Sequence, residues 1–361
     1  MWYLMYSLQN IKRISYPADL VMDLTKLYRF KGKDFYYEDL FKNQMSTIVL
    51  ETIYNDCAYA ARLLELNISD NRIKLILTKD STPKTNDEKI LANLKSVFTV
   101  IQEKGEDLEL APNEFLALAD RIFKGVVTVG FRTAKVDVQF NLLREKKTVS
   151  MRDNFEKILG LYKSYLYKKE VEATQLATNL FVDVMNTKIF DKYNDFLCLL
   201  IYYCLLFKER FNVFKHISFF EMHYNSRPEF EAALSEASYD WENGFSKTAP
   251  LNRLTINFML DGYQLIEGRV QAKTFDKELK KIDMVASSIL KLGEVFTKEE
   301  IRIQNKGVSE STINRALDYL KENEKIRPMG TGRNAKWMRI NIDEQIDFKN
   351  KQASIFDFLG N

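Results

Sequence analysis

Residues that interrupt helices are scarce in this chain, and that scarcity limits what it can fold into. Six prolines and 13 glycines are spread over 361 residues. Proline lacks the N–H a helix needs, and glycine loses the most backbone entropy, so stretches free of both can stay helical. Residues 38–66 (EDLFKNQMSTIVLETIYNDCAYAARLLEL) contain neither, and their apolar residues recur at helical spacing. Residues 113–123 (NEFLALADRIF) repeat the pattern. One stretch differs. Residues 125–140 (GVVTVGFRTAKVDVQF) are β-branched and roughly alternating, with Gly130 in the middle, which predicts a β-hairpin. The expected fold class is therefore mainly α with one hairpin.

Bulk composition removes several functions. The chain is 46% hydrophobic and 29% charged, ordinary for a soluble globular protein, and its net charge is only +3. Any nucleic-acid binding must therefore be local. Cys57, Cys198 and Cys204 show no metal spacing and no even disulfide framework, which fits a reducing cytoplasm. His216 and His223 are the only histidines and lack paired-ligand spacing, so no metal site is expected and both read as structural. The start, MWYLMYSLQNIKR, has no basic segment ahead of an apolar core and does not read as a signal peptide. The longest apolar run, residues 196–207 (FLCLLIYYCLLF), falls short of the roughly 20 residues that cross a bilayer, and predicts a buried core helix.

The last third changes character near Asp283. It reads helix, short helix, turn, helix and two short strands, the layout of a winged helix–turn–helix. Ser309 has the chemistry of a helix cap, and Ile313, Ala316, Leu317 and Leu320 share one face of the helix that follows. Residues 330–333 (GTGR) join the two strands. Between residues 297 and 340 there are ten Lys/Arg against six Asp/Glu, so the basic excess lies in this module. Ser309, Ser311, Thr312, Asn314 and Arg315 open the helix that would meet DNA, and Arg333 and Lys336 lie on the wing. The plain alternative is a protein–protein winged helix, and Glu310 and Glu322 disfavour DNA.

Several stretches of the middle resemble the Fic (Fido, AMP-transferase) family. LYRFKGKDFYYEDL resembles its N-terminal entry segment, and RIKLILTKDSTPKTNDEKILANLKSVFTVI resembles the segment after its inhibitory helix. His216-Ile217-Ser218, then Glu229 to Leu234, then Ser238, Trp241 and Gly244 resemble the stretch after its catalytic loop. With the winged module, a common C-terminal partner in that family, the resemblance covers most of the chain. It implies a helical bundle with a β-hairpin flap, and these domains: residues 1–110 an N-terminal helical region, 111–275 the Fic-like core, 283–341 the winged helix and 342–361 a tail.

The same register places the family's catalytic loop, H-P-F-x-D/E-G-N-G-R-x-x-R, on residues 188–199 (KIFDKYNDFLCL). In the family the His is the base, the acid holds Mg²⁺, the glycines shape a phosphate nest and the arginines neutralise phosphate. Here the His is Lys188, the Pro is Ile189 and the acid is Lys192. The glycines are Tyr193 and Asp195, and the arginines are Phe196 and Leu199. Only Phe190 and Asn194 are kept. Lysine, protonated at neutral pH, is a poor base, and Lys192 cannot bind a cation. The inhibitory helix, S-S-N-R-I-E-G in the family, falls on residues 59–65. Arg62 is kept and the glutamate position is Leu64, with Glu65 available after a one-residue slip. Residues 47–51 offer a second match, which the spacing disfavours.

Together these readings predict an inactive Fic-like protein acting as a DNA-binding regulator without a cofactor, dimeric so as to double its phosphate contacts. One alternative is Fic-type nucleotidyl transfer with atypical residues, which would need ATP and Mg²⁺. Another is a protein-interaction scaffold. The family's flap implies strand pairing with a target peptide, against a purely structural hairpin. In the tail, Gln352, Ile355 and Phe356 resemble the short peptide that docks on bacterial sliding clamps, though a terminal apolar segment also packs on its own domain.

Overall fold

Caps and short turns, rather than long loops, separate the elements of this chain. The computed structural model describes residues 6–140, 143–330 and 335–340, and the chain divides into two units, Met1–Ile266 and Glu267–Asn361. The first unit begins with α1 (Tyr6–Gln9), α2 (Ala18–Lys31), α3 (Asp34–Phe41), α4 (Met45–Leu63), α5 (Asp70–Lys79), α6 (Asn86–Lys104) and α7 (Pro112–Ile122). An antiparallel hairpin follows, β1 (Thr133–Phe140) and β2 (Leu143–Ser150). Then come α8 (Met151–Lys168), α9 (Ala173–Thr187), α10 (Asn194–Lys208), α11 (Phe219–Asn225) and α12 (Arg227–Ser238). The division falls inside α13 (Ala249–Ile289), ahead of residue 275, where the sequence suggested that the core ends. The second unit continues through β3 (Val295–Thr297), α14 (Lys298–Gln304), α15 (Glu310–Glu322), β4 (Ile326–Pro328) and β5 (Lys336–Arg339). The architecture is mainly α.

Local chemistry sets many of the boundaries. Thr85, Ser218 and Ser309 each accept a backbone N–H from three residues on, capping α6, α11 and α15. Pro112 opens α7, where its missing N–H is harmless. Residues 38–66, free of proline and glycine, fall in two helices, α3 and α4. The Gln44 N–H donates to the Phe41 carbonyl (2.7 Å) and the Lys42 N–H to the Asp39 carbonyl (3.3 Å). These i−3 bonds tighten the chain at a polar Lys-Asn-Gln step and turn it.

The core of the first unit forms around α10, in which residues 196–207 are all buried. That helix is apolar on every side because α6 and α9 pack against it. Among the described residues no helix is long and apolar enough to cross a membrane. Two fully buried carboxyls tie the bundle together. Asp183 on α9 accepts the Ser7 and Leu8 N–H groups (2.8 and 2.9 Å) and the Trp241 indole (2.7 Å). Asp56 on α4 accepts the Ser218 and Tyr203 hydroxyls (2.6 and 2.9 Å) and the Phe220 N–H (3.2 Å). Burial pushes both up to about 7.

The hairpin lies further along than residues 125–140. β1 pairs with β2 from Thr133↔Ser150 to Phe140↔Leu143, so Gly130 is not its turn. The alternation in the sequence continues across Gly130, while the charged string of β2 gives no strand signal of its own. Only the register reveals it.

In the second unit β3, β5 and β4 form a three-stranded antiparallel sheet in that order. Val285, Ile289, Phe296, Ile301, Ile313, Leu317, Leu320 and Ile326 belong to its core, with Trp337 packed against them. Gly307, with φ +89°, makes the left-handed turn between α14 and α15.

Candidate functional site

The loop between α9 and α10 is held by the strand segment just ahead of the hairpin. Lys188 ends α9 with φ +50°, in the left-handed region. The last carbonyls of α9 lack helical partners, and Arg132 supplies them. Its guanidinium donates to the Thr187 carbonyl (2.6 Å) and the Lys188 carbonyl (2.7 Å). Its own N–H donates to the Ile189 carbonyl (2.8 Å). Phe131 bridges Phe190, and their rings stack with centroids 5.6 Å apart. Next, the Asp191 N–H donates to the Gly130 carbonyl (3.0 Å), while its carboxylate accepts the Gly130 N–H (2.8 Å). Finally, the Lys192 ammonium donates to the Thr128 carbonyl (3.0 Å). Two cationic side chains therefore satisfy backbone carbonyls of the loop and its support.

The start of α10 is closed in the same manner. Tyr193, φ +52°, stacks on Phe123 with centroids 4.2 Å apart. Asn194 accepts the Phe190 N–H on Oδ1 (3.1 Å) and donates to Asp195 (3.2 Å). A helix N-terminus attracts anions, and here the exposed Asp195 carboxylate occupies the first turn. Phe196 is buried and meets Phe220 at 5.8 Å. Lys188 is exposed.

A cavity of about 260 Å³ adjoins this loop. Its walls include Phe181 on α9, Phe196 and Leu199 on α10, His223 on α11 and Phe230 on α12. Asp195, Arg227 and Glu231 are its exposed, charged members, and the Arg227 guanidinium pairs with Glu231 at 2.6 Å. Leu63, from the end of α4, also lines it. Arg62, Leu64 and Glu65, which the sequence resemblance sets in an inhibitory helix, are not among its walls. Arg62 is stacked against Tyr59 (4.8 Å to the ring centroid) and ion-paired with Asp70 (3.7 Å). Leu64 caps α4, and Glu65 lies beyond it with φ +55°.

In the second unit Ser309 caps α15, and its hydroxyl lies 2.9 Å from that of Ser311 and 2.8 Å from that of Thr312. Ser311 is exposed, and Thr312 and Asn314 are partly so. Arg315 pairs with Glu278 at 2.8 Å. Lys336 is exposed on β5. Arg333 lies outside the described residues, as do Gln352, Ile355 and Phe356. Arg132 and Glu278, which hold the loop and Arg315, were not singled out by sequence reasoning. The only cue to Arg132 is a lone cation beside the hairpin, and Glu278 looks like one more charge on a solvated helix. No group of three His, Cys, Asp or Glu residues that could hold a metal ion occurs among the described residues.

No family model and no curated protein matches the chain by sequence. Solved structures resemble its fold. A Fic family protein from Desulfovibrio desulfuricans superposes with a TM-score of 0.55 at 11% identity, over 91% of this chain and 97% of that one. A Fic domain-containing signalling protein from Bacteroides thetaiotaomicron gives 0.52 at 12% identity, over 68% of this chain and 96% of that one. Fic-1 from C. elegans gives 0.50 at 12% identity, over 71% of this chain and 73% of that one. The chain has a Fic-like fold.

Proposed function

We propose that this Fic-like fold works without nucleotidyl transfer and that the chain acts as a DNA-binding regulator through its second unit. The observation that carries the first half is the state of the α9–α10 loop. No histidine stands at its start, the ammonium of Lys192 is bonded to the Thr128 carbonyl, and Asp195 occupies the anion-attracting turn of α10. A transferred phosphoryl group needs positive charge and open N–H donors there. Incubation with labelled ATP and Mg²⁺ should leave the chain and lysate proteins unlabelled. Transfer that disappears in Lys188→Ala/Asn194→Ala would sink this reading.

The second half rests on the helix–sheet arrangement of the second unit, whose capped α15 and antiparallel β4–β5 pair suit a winged helix–turn–helix. Exposed Lys306, Lys325, Arg327 and Lys336 supply the basic surface. Binding to a labelled mixed-sequence duplex should weaken steeply with salt. Lys336→Glu should weaken it across sequences and lower the salt slope by about 1. Because Arg315 already pairs with Glu278, Arg315→Ala should matter less than Lys336→Glu.

A protein-interaction scaffold is the second reading, favoured by Asp318 and Glu322 on the exposed face of α15. Absence of salt-dependent DNA binding would select it. A homodimer would double the phosphate contacts, and light scattering of the full chain tests it. The three free, buried cysteines suit a cytoplasmic setting.

A further inference from the structure

The cavity beside the α9–α10 loop has a composition unlike that of a phosphate site. Its buried wall is aromatic and aliphatic, with Phe181, Phe196, Leu199 and Phe230 all under a tenth exposed. His223 shares that wall at 8% exposure. Its Nδ1 is buried without a hydrogen-bond partner. A buried polar group without a partner is uncommon and costly. We propose that this cavity binds a small, neutral, planar aromatic molecule carrying one hydrogen-bonding N–H or O–H group, which the His223 imidazole meets. This goes beyond the DNA-binding reading and does not depend on it.

Three observations set the ligand class. Size comes first: a dry cavity of about 150 Å³ holds benzene and drug-sized sites start near 300 Å³, so about 260 Å³ suits one or two fused rings. Shape follows from the walls, because three phenylalanine rings favour a flat aromatic partner through offset or edge contacts. The third is charge. Arg227 is already paired with Glu231 and Asp195 adds a carboxylate, so a polyphosphate finds no unspent cation among these lining residues. Burial, with the Arg227 charge second, pushes His223 down to about 4, which leaves a neutral imidazole able to donate from one nitrogen and accept at the other.

With only two histidines in the chain, ring-nitrogen NMR of the full-length protein reports on this site directly. Indole is the probe. His223 should shift saturably while His216 stays still, and ATP with Mg²⁺ should move neither. Filling the cavity with Leu234→Trp, or with Met185→Trp if the first variant misfolds, should abolish the shift. By titration calorimetry, His223→Phe should weaken indole about ten-fold, as loss of one buried hydrogen bond does. The proposal is overturned if His223 does not respond up to the solubility limit of indole. It is overturned equally if His216 responds alike, if the filled variants respond as the wild type does, or if ATP displaces indole.

Discussion

The two buried carboxyls differ in the donors they face, and that difference predicts unequal responses to one substitution. Both oxygens of Asp183 accept N–H groups, from Ser7, Leu8 and Trp241, none of which can accept in return. Asp183→Asn turns an NH₂ toward one of them and should lower stability by about 1–3 kcal/mol in urea unfolding. One oxygen of Asp56 faces only the Tyr203 hydroxyl, which can rotate to accept. Asp56→Asn should therefore cost less than about 1 kcal/mol. Both carboxyls, and Asp34, are raised by burial from 3.8 to about 7. The folded state then holds more protons than the unfolded one between those values. The stability this contributes is full below 3.8 and lost as pH rises through 7. His223, lowered from 6.5 to about 4, acts in the opposite sense over its own window. Three groups against one predict that the urea midpoint falls from pH 5 to pH 8 and falls less in Asp56→Asn. None of these partners is local in sequence. Asp183 meets residues 176 and 175 positions away, so nothing in its neighbourhood marked it out.

Elements were legible where their causes are local. The Ser309 cap and the face Ile313, Ala316, Leu317, Leu320 can be read from residues three and four apart, and α15 has that cap and buries that face. The apolar run 196–207 likewise became α10, because a helix without a polar side must be covered all round. The hairpin was misplaced because alternation identifies a strand but not its partner. Within α13 the sequence shows two interior glycines as equals, yet they are not. A Cβ on Gly262 would meet the side chains of Ile217 and Val213, the latter at 2.7 Å, whereas one on Gly268 meets nothing within 4 Å. Gly268→Ala should stabilise by up to about 1 kcal/mol through helix propensity. Gly262→Ala should not, since overpacking costs about 1–3 kcal/mol. Thermal unfolding of the two variants separates them.

For the molecule as a whole, a Fic-like fold is compatible with this α9–α10 loop, because packing and loop chemistry rest on different residues. Phe190 and Asn194 hold the loop to its support and to α10, while the positions to which the sequence resemblance assigns a base, a metal ligand and phosphate-binding arginines are Lys188, Lys192, Phe196 and Leu199. The second unit has its own core, and Leu317→Ala within it should cost about 2–5 kcal/mol. Hydrogen exchange of residues 295–328 in the full chain would read that loss directly.

Helical character, the capped α15 and the local basic excess all follow from residue identities and short spacings. Intrahelical bonds span four residues, so short spacings suffice for them. The hairpin register, the clamp of Arg132 on carbonyls 55 and 56 residues away, the Arg315 partner 37 residues back and the walls of the cavity arose from packing. Each depends on segments brought together only when the bundle closes, and no pattern along the chain encodes which segments those are.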